Sequence, residues 1–276
     1  MFFPFADNNP THRTPVITYA LILANVLAFL WFWQLDERRQ IAVTFRYGFM
    51  PARIDQLQQN QPLNVPVGEP KLERVGLFQA RQVQPVVQLQ PDSAEIYRSI
   101  FTCMFLHGSW MHLIGNMWFL YLFGNNIEDR LGHILFPVFY IAGGLLATAA
   151  HYAMYTDSTV PVIGASGAVA AILGAYAVTY PFARVHTLVF LFVFITVVDL
   201  PALAVLGLWF LGQLMSFYGE VRMNISGGVA FLAHIGGFVA GAVAMPVLNA
   251  LVPHPEARRR EEPEPEYDDR WPFDRW

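Results

Sequence analysis

Charged residues are scarce in this sequence, and their scarcity excludes most soluble folds. Only 14% of the 276 residues are charged, against about 25% in an average soluble domain. Of the 38 charged residues, 13 lie in the last 23 positions and 15 between Asp36 and Arg98, which leaves ten for the other 190 residues. Together with 55% hydrophobic residues and a net charge of −4, this distribution excludes a soluble enzyme, a disordered chain and a nucleic-acid-binding protein. It predicts a protein that crosses a membrane several times.

Cysteine is almost absent as well. Cys103 is the single cysteine, so neither an intrachain disulfide nor a cysteine-based metal site can form. A lone cysteine beside an apolar run is typical of a small packing residue rather than of a nucleophile. The HExxH pattern of zinc proteases does not occur either, and we expect no metal and no cofactor.

Six apolar segments are predicted to cross the bilayer, which takes about 20 residues per helix. The first follows a short stretch without a clear cleavage site, so it is interpreted as an anchor helix rather than a signal peptide. The sequence therefore predicts an all-α polytopic membrane protein with six transmembrane helices, at residues 15–33, 112–126, 135–155, 160–180, 201–218 and 228–252.

The remaining segments define the domain organisation. Residues 187–198 are apolar but only 12 long, and we expect them to lie at the interface or to re-enter the membrane rather than to cross it. A crossing there would make seven spans and would move the C-terminus to the other side. Residues 1–14 form a short N-terminal segment, 15–252 the membrane domain with a long polar loop at 36–98, and 253–276 a charged tail predicted to be disordered.

Basic residues in the short loops predict the orientation. With six spans, one face receives Arg13, Arg130, Arg184 and the run at 258–260, whereas the short loops of the opposite face contain only Arg222. Because cytoplasmic loops are enriched in Lys and Arg, both termini are predicted to be cytoplasmic. The short loops are typical of a protein of the bacterial plasma (inner) membrane.

Four polar residues lie at membrane depth, where polar groups are costly and often mark a functional site. His112 and Asn116 are four residues apart and share a helix face, Ser166 begins one span, and His234 lies in the outer part of the last. Each has an ordinary structural explanation: a serine that bonds to its own backbone, a packing histidine, or an asparagine that joins two helices. Their occurrence together favours a shared site.

Small residues could allow the helices that carry Ser166 and His234 to approach closely. Gly164 and Gly167 flank the serine, and Gly237 and Gly241 follow the histidine at helical spacing. At hydrogen-bond distance, a neutral histidine can remove the serine proton during nucleophilic attack.

An oxyanion formed in that attack would need donors, and His112, the Asn116 amide and the Ser166 backbone N–H could supply them. No Asp or Glu lies in a span beside His234, and Asp199 is predicted near the opposite face. We therefore expect a Ser–His dyad rather than a triad.

Three motifs carry a family resemblance. Residues 112–116 resemble the HxxxN motif of the rhomboid intramembrane serine proteases, residues 164–167 resemble their GxSG motif, and residues 233–241 resemble their AHxxGxxxG motif. The motifs occur in the family's order on the expected spans. Tyr97-Arg98 and Glu128-Asp129-Arg130 resemble further family motifs more loosely.

The resemblance implies a six-helix bundle with a water-filled cavity open to the outside and a first loop partly in the outer leaflet. It implies Ser166 as the nucleophile, His234 as the general base and acid, and His112 and Asn116 around the oxyanion. Family members often carry an aromatic residue beneath the catalytic histidine, where this sequence has Ala170. Phe238 or Trp118 is expected to fill that space.

The function predicted from these residues is that of an intramembrane serine endopeptidase. Its partners would be the lipid bilayer and single-span or polytopic membrane proteins, cleaved near the outer end of their span, and no nucleic acid. Two alternatives stay open: a catalytically inert rhomboid-like protein that binds membrane clients, and a transporter that relays protons through His112 and His234. The sequence names neither a substrate nor an oligomeric state.

Overall fold

Helices dominate the structure, as the sequence predicts. The computed structural model describes residues 2–68, 70–74, 80–191, 194–223 and 230–252. The charged tail at 253–276 lies outside the described residues. In chain order the elements are β1 Phe2–Asp7, α1 Val16–Trp33, α2 Glu37–Tyr47, α3 Ala52–Gln59, β2 Leu63–Pro66, β3 Lys71–Arg74, β4 Ala80–Val83, β5 Val86–Leu89, α4 Ser93–Thr102, α5 Trp110–Met154, α6 Ser166–Thr179, β6 Arg184–Leu191, β7 Phe194–Pro201, α7 Ala202–Met223 and α8 Phe231–Leu251.

Four of the described helices are long and apolar enough to span a bilayer: α1, α5, α7 and α8. Helix α5 has 45 residues and turns at Gly132, whose φ of 80° and ψ of 165° suit a glycine. The turn divides α5 at the boundary between the second and third predicted spans. Helix α6 is apolar but has only 14 residues. The count of six spans stays a prediction.

Helix α6 lies at the centre of the bundle, and ten of its residues are buried. It packs against α5 on one side and α8 on the other. A Cβ atom at Gly241 would overlap the carbonyl oxygen of Ala171, and one at Gly174 would overlap that of Phe238. The two helices therefore touch through their backbones, which only glycine allows at these positions.

The buried side chain of Glu128 fixes the first helix to the turn in α5. Its carboxylate accepts hydrogen bonds from the backbone N–H groups of Ile17 (2.9 Å) and Thr18 (2.7 Å) and from the Thr18 hydroxyl (2.6 Å). The ring of His133 lies 2.7 Å from the same carboxylate. A carboxylate at this place satisfies N–H groups that the first turn of a helix leaves without partners.

The described residues of the loop at 36–98 form a folded unit of short helices and two antiparallel strand pairs. The Arg53 guanidinium is buried, pairs with Glu95 at 2.9 Å and donates to the carbonyl oxygens of Phe45 (3.2 Å) and Gln90 (3.1 Å). A small second core lies beside it, formed by Phe45, Met50, Val65 and Leu89.

This unit is joined to the connection between α5 and α6. Phe49 and Val162 exchange two backbone hydrogen bonds of 3.0 and 2.7 Å, and the Ala52 N–H donates to the Ser158 carbonyl at 3.0 Å. The first loop therefore braces the segment that leads to Ser166.

Residues 187–191 and 194–198 lie in two paired strands, a conformation that the sequence analysis did not predict. Strands β6 and β7 pair antiparallel with Arg184 opposite Pro201, so the start of β6 lies beside the end of β7. Strand β1 adds to the other edge of β6, which gives a three-stranded sheet in the order β1-β6-β7. The short N-terminal segment is thereby tied into the fold.

The contact between α6 and α8 can be tested with two glycine variants. Gly241→Ala should lower the free energy of unfolding in detergent micelles by about 2 to 3 kcal/mol, because the added methyl group forces two backbones apart. Gly212→Ala in α7 is the matched control, because a Cβ there meets nothing within 4 Å. It should be neutral or stabilising by about 0.5 to 1 kcal/mol. Equal stability of the two variants would contradict this packing.

Candidate active site

The close approach of α6 and α8 brings a serine and a histidine together. Ser166 is the first residue of α6, and His234 lies in the first turn of α8. The Ser166 Oγ and His234 Nε2 atoms are 2.8 Å apart. A serine at this distance from a neutral imidazole can pass its proton to the ring as it attacks a carbonyl carbon.

The other ring nitrogen of His234 has a partner that the sequence analysis missed. His234 Nδ1 lies 2.8 Å from Oε1 of Gln213, which is in α7. An amide oxygen only accepts hydrogen bonds. The sequence did contain a signal for Gln213, which is a polar side chain within the predicted span 201–218. Polar residues at membrane depth were the criterion that singled out the other four residues.

His112 and Asn116 lie beside the loop that precedes the serine. Gly164, at a φ of +118°, has no side chain, and the nearest atoms to the place of its missing Cβ are His112 Nε2 (2.5 Å) and Asn116 Nδ2 (3.5 Å). A side chain at this position would displace both donors and would be strained at that φ. The glycine thus keeps room for the two donors close to Ser166.

A histidine that the sequence analysis also missed orients Asn116. His107 precedes α5 and is completely buried. Its Nε2 atom accepts from Asn116 Nδ2 at 3.0 Å and from the Ala165 N–H at 3.4 Å. The sequence indicated it only by the presence of one more histidine shortly before the predicted span 112–126.

The start of α6 adds backbone donors to the same place. The first N–H groups of a helix have no partner within it. The residue before α6 is Ala165, whose side chain cannot accept a hydrogen bond from them. The Ser166 N–H is therefore free of an intrahelical partner and lies in a region of partial positive charge, where an oxyanion is stabilised.

A cavity of about 620 Å³ connects these groups. It is lined by Ser166 and His234, by His112 and Asn116, and by His151 and Glu220 on its other walls. Water and an extended peptide segment both fit a space of this size. Across the described ranges, no three His, Cys, Asp or Glu side chains come close enough together to hold a metal ion.

Aromatic rings beside His234 come from α7 and from α8 itself, where the Phe231 ring lies 6.4 Å away. Ala170 is completely buried, and its methyl group faces Gly237 of α8. The expectation that Trp118 fills the space beneath His234 is wrong, because its indole N–H donates to the Pro4 carbonyl at 2.8 Å. Instead, the Trp209 ring lies 6.2 Å from the His234 ring.

Phe238 contributes to this support only indirectly. Its ring stacks on those of Phe210 at 4.5 Å and Trp209 at 6.1 Å. Asp199, predicted to lie away from the site, pairs with His186 in the sheet at 2.6 Å.

The buried His107 predicts a pH dependence of stability. Burial, with a smaller contribution from nearby His112, lowers the pKa of His107 from 6.5 to about 3. Between these values the unfolded chain binds a proton that the folded chain does not, so this part of the stability is lost as the pH falls below about 6.5. The slope approaches about 1.4 kcal/mol per pH unit.

His107→Gln isolates this dependence, because the glutamine oxygen can still accept from Asn116 but does not titrate. The free energy of unfolding in detergent micelles, measured from pH 4 to pH 7, should fall less steeply toward low pH in the variant than in the wild type. Parallel curves for the two proteins would refute the assignment of this slope to His107.

Several curated proteins are similar to parts of this chain. RHOMBOID-like protein 5 of Arabidopsis thaliana is 28% identical over 140 residues, which cover 51% of this chain and 40% of that protein. Rhomboid protein 1, mitochondrial, of Saccharomyces cerevisiae is 29% identical over 173 residues, which cover 59% and 45%. Presenilin-associated rhomboid-like protein A, mitochondrial, of Danio rerio is 33% identical over 82 residues, which cover 29% and 21%. The matches thus span less than half of each relative.

A broader comparison settles the family. The sequence model of the rhomboid domain matches residues 93–250, which is more than half of the chain. This range includes Ser166 and His234 and both of the residues that approach Gly164. The predicted resemblance is confirmed, and the chain belongs to the rhomboid family.

Proposed function

We propose that this chain is an intramembrane serine endopeptidase with Ser166 as its nucleophile and His234 as its general base and acid. The observation that carries the proposal is the 2.8 Å distance from Ser166 Oγ to His234 Nε2 inside a cavity. Membership of the rhomboid family supports a protease of this type.

The first half of the reaction forms an acyl-enzyme. As the Ser166 oxygen bonds to the carbonyl carbon of the substrate, its proton moves to His234 Nε2. The negative charge that develops on the carbonyl oxygen is stabilised by N–H donors of Asn116, His112 and the start of α6. The C–N bond then breaks, and the departing amine takes the proton from His234.

The second half of the reaction consumes water. A water molecule in the cavity gives a proton to His234 while its oxygen attacks the acyl carbon, and the second tetrahedral species collapses to release the acid and restore Ser166. The cavity is the route for that water, because the surrounding hydrocarbon holds none.

The substrate class follows from the position of the site. A transmembrane helix already uses its backbone groups in hydrogen bonds, so a substrate must unwind locally to present a carbonyl group. Membrane proteins with small or helix-breaking residues near the outer end of a span meet this requirement at least cost. The substrates proposed are therefore single-span or polytopic membrane proteins of that kind.

Two substitutions test the dyad. Purified wild-type protein should cleave a single-span reporter protein, whereas Ser166→Ala and His234→Ala should reduce cleavage by about a thousandfold or more, because each removes one half of the nucleophile and base pair. Ser216→Ala, at an exposed position on α7, should cleave like the wild type.

Labelling by a fluorophosphonate probe tests the nucleophile without a substrate. Ser166 should be labelled in the wild type and Ser216→Ala, and nothing should be labelled in Ser166→Ala. Cleavage by Ser166→Ala at the wild-type rate would overturn the proposal. A folded wild type that neither cleaves nor reacts would favour the inert binding protein.

The chain is an integral membrane protein. We further propose six spans with both termini in the cytoplasm of a bacterial cell, from the distribution of Arg residues in the short loops. The named relatives are eukaryotic and in part mitochondrial, and they lend no support to a bacterial location.

Cysteine accessibility tests the orientation. In a Cys103→Ala background, Asp157→Cys between α5 and α6 should react with a membrane-impermeant maleimide in intact bacterial cells. Phe182→Cys, after α6, should react only once the membrane is permeabilised, because the two exposed positions lie at opposite ends of α6. The reverse pattern would show that the topology is inverted.

A further inference from the structure

We infer that Gln213 is a positioning residue that holds His234 in the tautomer and orientation needed to receive the Ser166 proton. The inference rests on the proposed function and concerns a side chain that belongs to none of the three family motifs in this sequence. Gln213 is not among the residues that line the cavity, and it meets the site through the His234 ring.

The geometry of the hydrogen bonds assigns the tautomer. Gln213 Oε1 can only accept, so the hydrogen bond of 2.8 Å requires a proton on His234 Nδ1. A neutral imidazole then has an unprotonated Nε2, and this is the atom that lies 2.8 Å from Ser166 Oγ. Without a partner at Nδ1 the proton could equally occupy Nε2, where it would block proton transfer from the serine.

Helix α7 is held where Gln213 can reach the ring. Gln213 lies one turn after Trp209, so the two side chains share a helix face. Trp209 approaches the His234 ring with its own ring, and Phe210 stacks on Phe238 one turn further along α8. These two aromatic contacts and the hydrogen bond to Gln213 hold α7 against the helix that carries His234.

A neutral amide suits this place better than a carboxylate. His234 is surrounded by the apolar faces of α6, α7 and α8, where an unpaired carboxylate would be costly. Among the described residues, the titratable or charged groups on its cavity side are His112 and His151 of α5, Tyr155 directly after α5, and Glu220 of α7. An amide orients the ring without a formal charge, and its cost is a weaker stabilisation of the imidazolium that forms during the reaction.

Two substitutions of Gln213 distinguish a role in orienting the His234 ring from a role in packing alone. Gln213→Met keeps the length of the side chain but removes the acceptor, and it should slow fluorophosphonate labelling of Ser166 about tenfold. Gln213→Glu restores an acceptor and should label within about threefold of the wild type. Because its carboxylate stabilises the imidazolium, the acidic limb of the labelling rate should move to higher pH by about one pH unit.

The control is Leu214→Met, which places the same side chain at the adjacent exposed position of α7 and should label at the wild-type rate. Equal labelling of the wild type and Gln213→Met would overturn the inference while leaving the protease proposal intact. So would a Gln213→Glu variant that is folded but labels as slowly as Gln213→Met. Absence of labelling in the wild type itself would instead count against the protease.

A measurement on the unmodified protein decides the tautomer whether or not any variant folds. In protein labelled with ¹⁵N-histidine, the His234 signals are identified by their loss in His234→Ala. At neutral pH, Nδ1 should carry the proton and Nε2 should give the shift of an unprotonated nitrogen. A proton resident on Nε2 in the wild type would overturn the inference.

Discussion

The backbones of α6 and α8 touch along a line of small residues, and the position of the whole site depends on that contact. Because glycine has no Cβ, the helices come close enough for a short serine side chain to reach a histidine ring. A wider separation would put a layer of side chains between them and leave the hydroxyl with a backbone partner. Helix α5 also packs against α6 and carries His112 and Asn116, which line the same cavity as Ser166 and His234.

Much of this arrangement could be predicted from the sequence because its determinants are local. The low charge of the apolar segments indicated that they cross a membrane. The spacing of His112 and Asn116 put both side chains on one face of a helix. Gly164, Gly167, Gly237 and Gly241 were recognisable as close-packing positions by their flanking motifs. The family resemblance then ordered these elements, and the family is confirmed.

The features that the sequence did not predict depend on contacts between residues far apart in the chain. Gln213 meets His234 only because α7 packs against α8, and nothing in the local sequence of α7 states which face it presents. His107 was overlooked because its role depends on partners elsewhere in the chain, the Asn116 amide of α5 and the Ala165 N–H before α6. The sheet was missed for a different reason: a 12-residue apolar run has the length of an interfacial helix or of two strands, and hydropathy does not distinguish them.

Strand β1 has a consequence for the order in which the protein is made. Its hydrogen-bonding partner β6 lies about 180 residues further along the chain, so the ribosome must synthesise helices α1 to α6 before the strand can pair. Until then, its backbone N–H and C=O groups have no protein partner and must remain in water. Closing so long a loop is slow compared with helix formation. The beginning of the chain therefore waits for β6 before it can pair, and only β7, α7 and α8 are synthesised after that point.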